Sequence, residues 1–351
     1  MTVIDRRKFL ALGAALGCGV AVGGNQAIAQ IVDDQDLAAA ELINRETQDA
    51  IDRGLAYLAS RQRDDGSFES SGYGRNVAVC SLAGMAFMAG GNMPGRGQYG
   101  QQVNRCVRYI LDRAQDNGFI VDVEGSSHGP MYGHGFATLF LAEVYGMTPD
   151  SQVRETLEAA VNVIIASQNE DGGWRYKVDS TDADISVTIC QIMALRAARN
   201  AGIVVPSETV DRCIDYVKRS QNADGGFMYM VHGGPSAFPR SAAGVVALYS
   251  AGIYEGDEIE RGIEYLQQFT PRRHDAPRES HFFYGQYYGV QAMWHAGGDN
   301  WRKWYPAARD TLIAMQLDNG CWSDSICFEY GTAMACIVLQ MPNNYLPIFQ
   351  R

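Results

Sequence analysis

Two aspartates stand one residue apart in the run Asp179-Ser180-Thr181-Asp182-Ala183-Asp184, just ahead of Ile185 and Ser186. A carboxyl buried beside a second carboxyl keeps its proton to higher pH, because its charged form loses hydration and meets a like charge. Such a pair could serve as a Brønsted acid toward a substrate that has no basic group of its own. The same residues also suit a helix start, where a carboxylate accepts hydrogen bonds from free backbone amides and is favoured by the helix dipole. Asp184 and Asp182 are therefore the candidate catalytic residues, and capping of the helix from Ser186 is the competing role. The dipole would lower the pKa of Asp184, while burial and Asp182 would raise it.

Other polar residues stand just before or at the start of apolar runs: Tyr132 and His134, Arg240, His281, Tyr284, Tyr288 and Glu329. They are the candidate substrate-binding set. The aromatic stretch from Phe282 through Tyr288, with Trp294 beyond, could stabilise a cation by its ring faces, and ring packing within a crowded helix competes with that role. His128 and His134 with Asp122 or Glu124 form the one combination worth testing as a metal site. No metal or cofactor is expected. Gly125-Ser126-Ser127-His128-Gly129 matches a nucleophile elbow in letters only, since Pro130 and Gly133 interrupt the helix that must follow at once.

The elements that would position these residues recur along the chain. The pattern Gln, three residues, Gly, one residue, aromatic appears at Gln62 to Phe68, Gln168 to Trp174, Gln221 to Phe227 and Gln316 to Trp322. Gln115-Asp116-Asn117-Gly118-Phe119 reads as a contracted copy, which sets Gln62, Gln115, Gln168 and Gln221 each 53 residues apart. Gln267-Gln268-Phe269 reads as a worn one. Six units follow.

Each unit has the same two halves. Ahead of the loop runs an amphipathic stripe, as in Val153, Leu157, Val161 and Ile164; behind it runs a segment apolar all round, as in Val77 to Gly90 and Ser186 to Ala201. A helix with no polar face must be buried, and a half-apolar one can cover it. Two concentric layers result. Closure into a ring gives every unit two neighbours without the polar capping repeats that an open solenoid needs. The expected fold is all-α, an (α/α)6 toroid of six helix pairs from about Asp36 to Arg351, with the polar residues ahead of the buried helices gathered at one mouth. Only Phe119-Ile120-Val121-Asp122-Val123-Glu124 alternates with the period of a strand.

The 351 residues carry a formal charge of −11 and are 46% hydrophobic. The first 29 residues hold one Asp against two Arg and one Lys, so the remaining chain holds −13. Nucleic acid and anionic membrane surfaces are poor partners for it. Arg6-Arg7, a small-residue apolar run to Val22, and Ala27-Ile28-Ala29 resemble a twin-arginine export signal cleaved after Ala29. Residues 1–29 are thus read as a signal and 30–351 as one domain, periplasmic or secreted. Seven of the eight cysteines lie beyond Ala29, without Cys-x-x-Cys spacing, and only Cys321 and Cys327 form a plausible local pair.

The Gln-x-x-x-Gly-x-Trp/Phe repeat resembles the repeats of squalene–hopene cyclases and of protein prenyltransferase β-subunits, which share an α/α toroid, and covers roughly Ile51 to Pro347. It is similar as well to short exported bacterial proteins made only of such repeats. In that family the loop Gln and the aromatic ring tie one unit to the next, and here Gln168 is expected to cap free amides at a neighbouring helix start. Family cyclases protonate an alkene through the middle residue of Asp-x-Asp-Asp. Asp182 and Asp184 match its first two aspartates, and Ile185 replaces the third. The zinc site of the prenyltransferases has no counterpart, since Tyr330-Gly331-Thr332 lacks the required His. Family triterpene cyclases enclose their cavity between two barrels, so the length of this chain implies an open mouth unless a dimer or partner closes it. The resemblance thus implies an exported terpenoid-cyclase-like protein acting on a polyprenyl or other apolar ligand by acid-initiated cyclisation. The alternative is a noncatalytic ring that holds a peptide, glycan or lipid.

Overall fold

The computed structural model describes residues 41–69, 72–272 and 280–350. The readings placed on residues 1–40, the signal and its cleavage site included, lie outside them. The ring unit runs from Ile43 to Arg351. Among its described residues are twelve α-helices in six pairs: α1 Arg45–Arg61, α2 Val77–Ala89, α3 Gly100–Leu111, α4 Pro130–Met147, α5 Ser151–Ala166, α6 Ile185–Asn200, α7 Ser207–Arg219, α8 Phe238–Ala251, α9 Asp257–Gln267, α10 Phe282–Ala296, α11 Gly298–Met315 and α12 Phe328–Leu339. The even-numbered helices form the inner layer. Each packs on the next in the order α2, α4, α6, α8, α10, α12, and α12 packs back on α2, which closes the ring. Outer helices α3, α5, α9 and α11 lean chiefly on the inner helix that precedes them, and α1 leans on α12, so the seam between chain ends is built like every other.

Composition explains the layering. Twelve of the thirteen residues of α2 are buried, whereas α3 buries only Gly100, Val103, Cys106, Val107, Tyr109 and Ile110 along one stripe. The loop between the halves is a repeated device. Gln168 Nε2 donates to Gly172 O at 2.8 Å within its own loop and to Thr209 O at 2.9 Å on the next outer helix. Gln62, Gln221 and Gln316 make the equivalent bonds to Gln102, Glu258 and Ala50. The last of these reaches from the sixth unit to the first and so seals the ring. The expectation that Gln168 caps free amides is therefore corrected: its Nε2, a donor only, gives its two hydrogens to carbonyls of its own loop and of the next outer helix. Gly172 has a left-handed φ of 94°, and a Cβ there would sit 2.2 Å from Arg212 O. Only glycine tolerates both.

The second unit keeps this frame in a shifted register. Ala114 bridges Ile120 as Gln62 bridges Phe68 and Gln221 bridges Phe227. Ala114 and Ile120 thus hold the Gln and aromatic places, and Gln115 to Phe119 is no contracted copy. The alternating stretch from Phe119 to Glu124 does not form a strand; among the described residues there are only isolated bridges. In the fifth unit Phe269 stacks on Phe238 at 5.4 Å just beyond the end of α9.

The axis of the ring is filled at mid-height. Phe136 on α4 and Tyr287 on the facing α10 lie 6.2 Å apart, and Cys190 Sγ on α6 is 3.5 Å from Tyr288 Oη. Tyrosines thus floor the ring beneath the inner-helix N-termini, and the mouth above them is termed the bowl.

Candidate active site

Asp184 sits where two elements of the third unit meet. Trp174 is locked by its indole Nε1 donating to Ile164 O at 2.7 Å and by its backbone N donating to Thr188 Oγ1 at 3.1 Å. Its carbonyl then accepts from Asp184 N at 3.0 Å, so the loop from Arg175 to Ala183 leaves from and returns to one fixed point. Asp184 N-caps α6, its Oδ1 accepting from Ser186 N and Val187 N, both at 2.9 Å. The residue is 0% exposed. Oδ2 accepts no well-formed hydrogen bond; its polar neighbours are Arg175 Nε at 3.5 Å and the Tyr229 hydroxyl.

Burial raises the Asp184 carboxyl, and the Val187 amide, the Arg175 guanidinium, the Ser186 amide and the Tyr229 hydroxyl pull it back only in part, leaving it at about 6 against an ordinary 3.8. The expected capping role is therefore met by one oxygen, while the other is desolvated and lacks a well-formed hydrogen bond. Asp182 does not supply the expected second carboxylate. Its side chain is 46% exposed and pairs with Arg175 Nη1 at 2.5 Å, so it holds the arginine.

Around Asp184 stand residues that were missed in the sequence. The Arg175 guanidinium lies 5.0 Å over the ring of Tyr176 and 5.6 Å over that of Tyr229, and the two tyrosine hydroxyls are hydrogen-bonded to one another. A signal was available: Tyr176 and Tyr229 each stand two places after the motif aromatic, Trp174 and Phe227, in adjacent units. Tyr132 joins them, its ring 6.0 Å from that of Tyr176. Tyr284 donates to Ser186 O at 3.0 Å and meets Tyr288 edge-on at 4.8 Å, which places both expected tyrosines on the floor of the bowl.

The remaining candidates lie elsewhere or do other work. His134 is fully buried, with Nδ1 accepting from Ile120 N and Nε2 facing Ala160 O, each at 3.1 Å. It fills the place that Thr188 and Ser241 hold in the third and fourth units, and burial holds it down to about 4. It is a strut in the wall, corrected from a mouth residue. Arg240 donates Nε to Phe227 O at 3.0 Å and also reaches Pro235 O, so it fastens its own loop. His281 is exposed at the start of α10 with φ 63°. Glu329, 0% exposed, lies on α12 on the far side of the mouth, 3.5 Å from Arg61 Nε. Among the described residues no cluster of His, Cys, Asp or Glu fits a metal ion; His128 instead meets the Tyr73 hydroxyl. Cys321 and Cys327 are free buried thiols, and Cys327 caps α12.

Comparison with known proteins agrees with this architecture. The family model of the squalene-hopene cyclase C-terminal domain matches residues 84–242, the span that carries Asp182 and Asp184. Drimenyl diphosphate synthase of Streptomyces showdoensis is 24% identical over 209 residues, 58% of this chain and 38% of that protein, so the match spans well under half of its length. The type II terpene cyclase MstE from Scytonema is 13% identical with a TM-score of 0.59, covering 86% of this chain and 99% of that one. Other structures of it hold geranylgeranyl dihydroxybenzoate as substrate. A variant of the alpha-1,6-mannanase GH76A of Salegentibacter sp. HEL1_6, in complex with alpha-1,6-mannotriose, is 9% identical with a TM-score of 0.61 over 85% of this chain and 99% of that one. This chain is a terpenoid-cyclase-like α/α toroid of squalene-cyclase-type repeats. The same ring is found in a terpene cyclase and in a glycosidase, so the fold alone does not choose the reaction.

Proposed function

We propose that this chain is an acid-initiating, terpenoid-cyclase-like enzyme that acts on an apolar prenyl-type substrate in the tyrosine-lined bowl. The reading rests on one observation: Asp184 presents a fully buried carboxyl oxygen with no well-formed hydrogen bond, and the group is raised to about 6. Its proton would pass to an alkene carbon, leaving a cation on the neighbouring carbon. A second double bond closes on that cation, and loss of a proton from the ring product restores neutrality. The faces of Tyr132, Tyr176, Tyr229 and Tyr284 supply π density to the cation. Arg175 and the Ser186 and Val187 amides hold the carboxylate left behind. The working acid is the protonated form, so turnover rises as pH falls toward about 6 and levels off below it.

Asp184→Asn keeps the capping oxygen and deletes the acid. With geranylgeranyl dihydroxybenzoate as probe, cyclised product should fall by roughly 100-fold or more, and full turnover by the variant would end the proposal. A noncatalytic binding ring is the second reading, favoured by the Phe136–Tyr287 contact that makes the bowl shallow. It predicts no product from either protein and probe binding by both. Extracytoplasmic residence is proposed with it, on Arg6-Arg7 and Ala27-Ile28-Ala29. Replacing Arg6 and Arg7 by Lys should block export, and unimpaired export would refute the twin-arginine route.

A further inference from the structure

The second mouth, at the C-terminal ends of the inner helices, is crossed by the segment after α12. Gln340 and Asn343 fasten its start to α2 through Ala86 O at 3.0 Å and Ala89 O at 3.3 Å. Asn344 then turns the chain with a left-handed φ of 52°. From there a strap, Tyr345–Gln350, passes over the opening. Leu346, Ile348 and Phe349 are 0%, 2% and 3% exposed, and Phe349 stands 6.3 Å from Tyr287 on the axis. The polar fastenings of the strap across this mouth come from single groups on three inner helices. Trp294 Nε1 of α10 donates to Phe349 O at 2.8 Å, Arg196 of α6 donates to Gln350 O at 3.3 Å, and Ile348 N donates to Glu143 Oε2 of α4 at 3.4 Å.

Glu143 is the anomaly under this strap. It is 1% exposed on an inner helix, and its carboxylate is outside any ion pair within 4 Å among the described residues. Arg196 of α6 and Tyr287 of α10 face it; α2 carries only Cys80 as an ionisable side chain. The charged residues of α5 turn outward, Arg154 pairing with Glu158. On α3, Arg105 pairs with Asp64 of the first loop and Tyr109 with Asp122. We propose that Tyr345–Gln350 is a displaceable plug in the second mouth, released when Glu143 ionises, and that its release opens a second way to the aromatic axis. The inference stands apart from the reading of Asp184. Burial raises the Glu143 carboxyl to about 8, with the Ile348 amide and Arg196 offsetting part of that, so the seated plug holds a neutral acid at neutral pH. Lifting the strap would return water to it. Between its ordinary 4.5 and about 8, each opening event releases a proton. The opening constant should then rise by up to about tenfold per pH unit and level off above that window.

Amide exchange read by mass spectrometry on the intact wild-type protein tests this, after correction for the intrinsic pH dependence of exchange. The strap peptide should exchange well before α10, with protection that falls as pH rises toward about 8 and then stays constant. Glu143→Gln should exchange with no such slope, and Phe349→Ala should open at least about tenfold more at every pH with the slope retained. A strap as protected as α10 at every pH, or the wild-type slope persisting in Glu143→Gln, would overturn the proposal. Should Glu143→Gln not fold, the slope and plateau of the wild type decide alone.

Discussion

Asp122 and Asp184 are both buried carboxylates ahead of inner helices, both beside arginine, and they titrate in opposite directions. Asp122 takes a hydrogen bond from the Tyr109 hydroxyl at 2.6 Å, from Arg113 at 3.0 Å and from Arg75 at 3.3 Å, with Glu124 N at 2.9 Å on its other oxygen. Burial pushes it up, but Tyr109, Arg113, the Glu124 amide and Arg75 together bring it to about 2. Asp184 has two backbone amides on one oxygen and only Arg175 at 3.5 Å and the Tyr229 hydroxyl near the other, and burial wins. A nearby arginine therefore does not decide the protonation state of a buried acid; the depth of burial set against the donors that reach each oxygen does. Asp122 is a structural anion that ties the second loop to α3, and Asp184 keeps one oxygen without a well-formed hydrogen bond.

Removing the anion should have the larger effect on folding. Asp122→Ala strips the Tyr109, Arg113 and Arg75 donors of their shared acceptor, and urea unfolding at neutral pH should register a loss of about 3 kcal/mol. A loss as small as that of a surface substitution would break the comparison.

The pH dependence should separate the two acids next. Asp122 is depressed, so its contribution is present above an ordinary 3.8 and is lost as pH falls through about 2. Asp184 is raised, so its contribution is full below 3.8 and is lost as pH rises through about 6. Between pH 4 and 6 the slope of unfolding free energy against pH should be more negative in the wild type than in Asp184→Asn by up to about 1.4 kcal/mol per unit, since the other titrating groups act equally in both. An unchanged slope in the variant would show that Asp184 ionises freely in the fold. At pH 4 itself the same variant, which keeps the capping oxygen, should cost about 1 kcal/mol or less.

Several of the governing residues were legible in the chain. Gln62, Gln168, Gln221 and Gln316 mark true units because the turn they serve is local: a left-handed glycine and a side-chain amide reach only a few residues and one neighbouring helix. Asp184 could be singled out for the same reason, since a cap is read from the residues beside it. His134 was misread as a mouth residue because its role depends on the Ile120 amide and on Ala160 of the next unit, although the matching places of Thr188 and Ser241 offered a clue. Arg175, Tyr176 and Tyr229 escaped notice because the shared place of the two tyrosines after the motif aromatic, though legible, does not say that loops 53 residues apart meet over one carboxylate.

By itself the sequence determined the unit, its two kinds of helix and the place of the acid, since apolar periodicity and turn chemistry act between residues close along the chain. The tertiary structure decided the rest. Ring closure through Gln316 and Ala50, the Ala114–Ile120 register, the Phe136–Tyr287 floor and the strap over Glu143 all join residues distant in sequence. Whether Asp184 holds a proton belongs with them, because desolvation is a sum over every element that surrounds the group, and no one of those elements carries it alone.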